Sequence, residues 1–155
     1  MRRRAAKKRE IHADAHYGSV SIARFINKLM YQGKKSVSER IVYDSLAELA
    51  KLTKVEAVIA FEEAINNVRP QIEVRSRRVG GATYQVPVEV RSSRSIALAV
   101  KWIITYSRAR HGRTMVEKLT AELNDAFNKR GAAYKKTKDV EKMAESNRAF
   151  AHYKV

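Results

Sequence analysis

The sequence predicts an all-α domain, a six-helix bundle with a β-hairpin arm protruding between the third and fourth helices. Three observations carry this. Apolar residues recur at i, i+3, i+4 and i+7 over most of the chain, the stripe of an amphipathic helix. Three Ser/Thr-x-x-Glu pairs stand before such stripes, where a capping box would open a helix. The period switches to strict alternation only in residues 71–91, around Gly80-Gly81. With 155 residues, no internal repeat and no Ser/Gly/Pro-rich linker, the chain should form a basic disordered arm over residues 1–12 and a single helical domain over 13–155.

The arm holds Arg2, Arg3, Arg4, Lys7, Lys8 and Arg9 with little apolar content, the composition of a segment that orders only on an anion. The first helix should bury Ile22, Phe25, Ile26, Leu29 and Met30 and turn Arg24, Lys28 and Tyr31 outward, with Gly33 as its stop and the exposed pair Lys34 and Lys35 behind it. Ser36-x-x-Glu39 is expected to cap the second helix, which presents Val42, Leu46, Leu49 and Ala50. Thr53-x-x-Glu56 should open the third, with Val58, Phe61, Ile65 and Val68, and Pro70 ends it because proline has no N–H to continue the ladder.

The fourth helix, near 94–109, buries Ile96, Ala99, Val100 and Ile103. At about 100° per residue, Arg94, Lys101 and Arg108 stack on its opposite side as a basic stripe. Thr114-x-x-Glu117 should cap the fifth helix, with Leu119, Leu123, Ala126 and Phe127 inward and Gly131 as its stop. The last helix, roughly 133–153, places Val140, Met143, Ala144 and Ala151 on one face. Asn147 falls on that face too, as a hydrogen-bonded core residue or a contact to a docked partner.

In the hairpin, Ile72 and Val74 alternate with Glu73 and Arg75, and Tyr84, Val86, Val88 and Val90 alternate with Gln85, Pro87 and Glu89. A two-residue Gly80-Gly81 turn would pair Val79 with Ala82 and Val74 with Pro87, putting the apolar residues of the two strands on opposite faces. An odd loop, Gly80-Gly81-Ala82, pairs Val74 with Val88 and Ile72 with Val90 and unites them. The odd loop is therefore the predicted register.

Charge narrows the function. Thirty-two Lys and Arg against sixteen Asp and Glu give +16, which a compact fold resists and a polyanion relieves. The excess is confined: residues 1–35 carry ten cations and two acids, 69–113 ten and two, and 129–155 eight and three. Residues 36–68 carry three cations against six acids, and 114–128 one against three. Scattered charge would indicate only solubility, whereas this distribution is expected if one side of the fold meets phosphate. The candidate contacts are the arm's cations with Arg24, Lys28, Lys34, Lys35, Arg75, Arg77, Arg78, Gly80, Gly81, Arg94, Lys101, Arg108, Arg110, Arg113, Lys135, Lys136 and Arg148. A guarded sheet edge explains one hairpin arginine well and three poorly.

Other chemistries find no footing. There is no cysteine, and His12, His16, His111 and His152 form no metal-ligand pattern, so neither metal nor cofactor is expected. Gly33-Lys34-Lys35-Ser36 lacks the earlier glycine of a phosphate-binding loop, Lys28 standing there. Glu62 and Glu63 are adjacent on a helix and point apart, so they are no acid/base pair. Trp102 fits core or rim better than a base-stacking platform. Ile96 to Ile104 is cut by Lys101 and too short to cross a bilayer, and no apolar stretch follows the basic N-terminus as a secretion signal would require. A soluble intracellular protein without membrane or small-molecule substrate is expected.

Two stretches carry a family resemblance. Val74-Arg75-Ser76-Arg77-Arg78-Val79-Gly80-Gly81-Ala82-Thr83-Tyr84-Gln85-Val86-Pro87-Val88-Glu89-Val90 resembles the signature of the small-subunit ribosomal protein seven family, bacterial type, and Met143-Ala144-Glu145-Ser146-Asn147-Arg148-Ala149-Phe150-Ala151-His152-Tyr153 is similar to its C-terminal helix. Phe25-Ile26-Asn27-Lys28 and Ala97-Leu98-Ala99-Val100-Lys101-Trp102 extend the likeness over most of the chain. The resemblance implies a non-enzymatic protein of the cytoplasmic ribosome that binds the three-prime major domain of the small-subunit (16S) rRNA and nucleates head assembly. It also implies a hairpin near the exit-site tRNA and the mRNA exit path, and a C-terminal region, His152 and Tyr153 included, near ribosomal protein eleven of the same subunit. The reading from another class is a DNA-bending architectural protein, which also joins a helical body to a β-arm.

Overall fold

The computed structural model describes residues 4, 6 and 9–153, except for the side chain of Tyr153. The expected disorder of the arm, with Arg2, Arg3, Lys7 and Lys8, lies outside the described residues. Helices α1 (Val20–Leu29), α2 (Lys35–Thr53) and α3 (Ala57–Val68) precede the antiparallel strands β1 (Ile72–Val79) and β2 (Ala82–Glu89). Helices α4 (Ser92–Ala109), α5 (Met115–Phe127) and α6 (Ala132–Ser146) follow, then a 3₁₀ segment, Arg148–Tyr153. Six helices with a hairpin between the third and fourth is the predicted architecture.

The stripes read from the sequence form the core. Phe25 of α1 meets Phe61 of α3 edge to face at 5.2 Å, and Leu46, Leu49, Ile103, Leu119 and Leu123 are buried around them. Helix α5 packs against α2, α3 and α4 and is the centre of the bundle. Trp102 is half-buried at the edge of this core. Helix C-termini leave carbonyls without intrahelical partners, and here three are closed by side chains from other helices. Arg108 Nη2 donates to the Leu29 carbonyl at 2.9 Å, Thr137 Oγ1 to that of Val68 at 2.7 Å, and Asn67 Nδ2 to those of Ala126 and Phe127 at 3.2 and 3.0 Å.

Two of the three capping boxes are not formed. Helix α2 starts at Lys35 with Lys34 as its N-cap, so Ser36 already lies inside the first turn. Thr53 ends that same helix and its hydroxyl bonds back to the Leu49 carbonyl at 2.9 Å, leaving Glu56 as the N-cap of α3. Thr114 does cap α5, accepting from the Glu117 N–H at 3.2 Å, while Glu117 Oε2 accepts from the Arg113 N–H at 3.1 Å. Gly131 is the N-cap of α6 instead of the stop of α5, which ends at Phe127. The final helix is shorter than predicted: it stops at Ser146, where Asn147 Nδ2 donates to the Met143 carbonyl at 2.7 Å, and Ala151 is exposed on the 3₁₀ segment. Asn147 is hydrogen-bonded, but as a cap and not in the core.

The hairpin register also differs. Val79 pairs with Ala82, Val74 with Pro87 and Ile72 with Glu89, the even turn set aside above. Gly80 and Gly81 have φ of +57° and +89°, the two positive values that a type I′ turn requires. The prediction assumed one buried face. Instead the base is covered on both: Glu73 and Val86 are buried on one side, Val74 and Pro87 half-buried on the other. Helix α6 packs on the hairpin, and Phe150 of the 3₁₀ segment meets Tyr84 with ring centroids 5.2 Å apart.

Candidate nucleic-acid interface

Helices α1 and α4 face each other across a groove of about 410 Å³. Arg24 and Lys28 line it from α1, four residues apart and so one turn above the other, and Arg94 and Lys101 line it from α4. Ile96, Ala97 and Leu98 of α4 form the apolar floor between these cations. Arg24, Lys28 and Lys101 are exposed and form no ion pair or side-chain hydrogen bond among the described residues. Three uncompensated cations along one groove match the spaced negative charge of a phosphodiester backbone.

Arg94 behaves differently. Its Nε donates to Glu73 Oε2 at 2.8 Å and Oε1 at 3.0 Å, and Arg75 reaches the same carboxylate at 2.8 Å. Burial pushes the Glu73 carboxyl up, but the hydrogen bonds and charges of Arg94 and Arg75 outweigh it and hold the group below the usual carboxylate range. The purely basic stripe of the fourth helix is therefore divided: Lys101 is free to meet a ligand, while Arg94 fastens the hairpin and Arg108 closes the end of α1.

On the hairpin, Arg75 and Arg77 share one face and Arg78 the other, as the period of two demands. Arg78, Gly80 and Gly81 are exposed at the distal end, and nothing lies within 4 Å of either α-carbon's open side. Lys34 and Lys35 are exposed at the start of α2, Lys35 with Glu39 at 3.7 Å. Arg4 and Arg9 are exposed as well.

Other candidates are scattered or committed to the protein. Arg110 donates to Glu122 Oε2 at 2.6 Å and to Asp125 Oδ2 at 2.5 Å, and these contacts hold its guanidinium above the ordinary arginine range, the Asp125 hydrogen bond most of all. Arg148 pairs with Glu145 at 3.3 Å. Arg113 and Lys135 are exposed and Lys136 half-buried, on α5's leading loop and on α6, away from the residues that line the α1–α4 groove. His152 is exposed on the 3₁₀ segment.

Arg69 was absent from the predicted set, because beside Pro70 it reads only as the end of a helix. In the structure it is half-buried where the hairpin leaves the body, with its guanidinium held by Asn66, Ser92 and Ser95. Only the fold brings Ser92 and Ser95 to it. Among the described residues there is no group of His, Asp and Glu able to hold a metal ion, and no helix long and apolar enough to cross a membrane.

Residues 1–148 match the family model described as ribosomal protein S7p/S5e. The chain is 57% identical over 153 residues to the small ribosomal subunit protein uS7 of Afipia carboxidovorans, covering 99% of this chain and 98% of the relative. It is 58% identical to the protein of that name from Rhodopseudomonas palustris, with the same coverage, and 54% identical over 154 residues to that of Petrotoga mobilis, covering 99% of both chains.

Proposed function

The chain belongs to the ribosomal protein S7p/S5e family, and from that premise we propose that it binds the three-prime major domain of the small-subunit rRNA and nucleates assembly of the subunit head. As a member it is a structural constituent of the small subunit of the cytoplasmic ribosome and not an enzyme. The observation that carries the RNA reading is the α1–α4 groove, where Arg24, Lys28 and Lys101 stand exposed without partners among the described residues. Lys34, Lys35, the N-terminal cations and Arg113, Lys135 and Lys136 add peripheral phosphate contacts. The distal hairpin, with Arg77, Arg78, Gly80 and Gly81, is the part that reaches the exit-site tRNA and the mRNA exit path. The 3₁₀ segment with His152 and Tyr153 meets the neighbouring ribosomal protein eleven. Family membership leaves the DNA-bending alternative without support.

Filter binding of the protein to a three-prime major domain fragment across a salt series tests this. If about six to ten phosphates are neutralised, affinity should fall by roughly 10³- to 10⁵-fold between 50 and 200 mM salt on the duplex-DNA scale, and somewhat less on RNA. A nearly flat response would overturn the electrostatic reading.

A further inference from the structure

We propose that Arg69 is an RNA-phosphate clamp at the root of the hairpin, a contact that rests on the rRNA-binding reading above and adds to it a site with its own geometry. Its Nε donates to Ser95 Oγ at 3.4 Å, Nη1 to Asn66 Oδ1 at 3.1 Å and Nη2 to Ser92 Oγ at 3.1 Å. A guanidinium has five N–H bonds. Three are taken, and one remains on each terminal nitrogen. A pair of N–H groups on the two terminal nitrogens is what two non-bridging phosphate oxygens accept in a bidentate contact.

The three acceptors are all uncharged, and this separates Arg69 from its neighbours. Arg75, Arg94, Arg110, Arg130 and Arg148 each face a carboxylate of this chain. Arg69 has neutral partners at 3.1 to 3.4 Å, so its charge is not offset by a carboxylate among the described residues. One of its three supports is fixed in place: Ser95 is 4% exposed, and its hydroxyl proton goes to the Pro70 carbonyl at 2.8 Å, so its oxygen is left to accept from Arg69. Asn66 and Ser92 hold the guanidinium from the surface. The side chain lines an open groove of about 620 Å³ between the end of α3, the hairpin root and the start of α4. A fork oriented before the ligand arrives loses less rotamer freedom on binding than a free surface lysine. Glu89 also lines the groove and opposes an anion there.

The test is a salt series of binding to the three-prime major domain fragment, using the full chain and its Arg69→Gln, Arg69→Lys and Glu89→Gln variants, each checked for folding by thermal melting. Arg69→Gln should bind about tenfold more weakly, and its salt slope should be shallower by about 0.7–0.9, the contribution of one phosphate. Arg69→Lys should keep the slope and lose affinity, because an ammonium carries the charge without the fork. Glu89→Gln should bind more tightly. Wild-type affinity and slope in Arg69→Gln would overturn the clamp and leave Arg69 a brace between α3 and α4. No binding of the fragment by the wild type at any salt would instead overturn the rRNA reading itself. If Arg69→Gln does not fold, phosphate-ethylation interference on wild type and Arg69→Lys decides: ethylating the clamped phosphate should weaken wild type more than Arg69→Lys, which lacks the fork, and equal interference in the two refutes the proposal.

Discussion

Glu73 and Arg94 lock the hairpin to the body: both oxygens of the Glu73 carboxylate accept from Arg94 Nε, at 2.8 and 3.0 Å, across the junction of β1 and α4. The carboxylate is one-tenth exposed while both arginines on it are more than half exposed. Solvent therefore screens the pair from the arginine side, and its worth is that of a charged hydrogen bond and not of a buried ion pair.

Replacing Glu73 with Gln should therefore cost roughly 1–3 kcal/mol at neutral pH. The pH dependence has a definite sign. Because the folded carboxyl titrates below its ordinary range, its stabilisation is present above the unfolded pKa and is lost as pH falls through the folded value. Urea unfolding should show wild type above Glu73→Gln at pH 7, with the two converging in acid below the carboxylate range of about pH 4. A gap that persists in acid would mean that the carboxylate's charge is not its source.

Arg110→Ala should destabilise the fold far more than it weakens RNA binding. It leaves the Glu122 carboxylate, 2% exposed on its side chain, without its cation, and unpaired buried charges cost about 3–5 kcal/mol. Glu122 also accepts the Ala133 N–H at 2.9 Å, so the start of α6 shares the damage. Thermal melting beside RNA affinity, corrected for the folded fraction, checks this. A stable variant with weakened binding would return Arg110 to the interface.

Replacing both Lys34 and Lys35 with Ala should do the reverse. Among the described residues their only ion pair, Lys35 with Glu39, is exposed and long at 3.7 Å, so stability should change by less than about 0.5 kcal/mol. RNA affinity should drop and the salt slope should flatten. A large fall in the thermal midpoint would contradict this.

Replacing the hairpin from Arg78 to Thr83 by a tight turn should leave the body folded and still binding rRNA, since the buried hairpin residues Glu73 and Val86 lie below the cut. Tyr84 has to be spared because it holds Phe150. Circular dichroism and RNA affinity should be near wild type, while subunits carrying the variant should retain exit-site tRNA abnormally. Normal exit-site behaviour with weak rRNA binding would make the arm an anchor.

What the sequence displays is periodicity, and periodicity located the helices, the hairpin and the inward faces of the first five helices. Met143 and Ala151, expected on the apolar face of the last, are exposed. Ile22, Phe25 and Ile26, or Leu119 and Leu123, are buried because their spacing leaves them no other face. Contacts between distant segments leave no such trace. Glu73 looks like a solvent-facing strand residue until Arg94 arrives from α4, and that burial is why a single apolar face was the wrong guide to the register. Ser36 and Thr53 have the right residues three positions before a glutamate, but the ladder had already begun at Lys35 and had not yet ended at Thr53. Charge was legible in amount and in segment but not in use. Nothing local distinguishes Lys101, which is free, from Arg110, which is spent on Glu122 and Asp125, and nothing beside Pro70 marks Arg69 as held by two serines from α4.

The contact between Tyr84 and Phe150 also has a meaning in time. A chain is made from its N-terminus, at roughly 5–20 residues per second, so β2 emerges well before the segment that braces it. During that interval the arm has its own ladder, then the Glu73–Arg94 contact once α4 is made, then α6, and only last Phe150. The arm's final posture waits for a segment made about sixty residues after it, and a chain without that segment would keep the arm on α6 but lose the clasp on Tyr84.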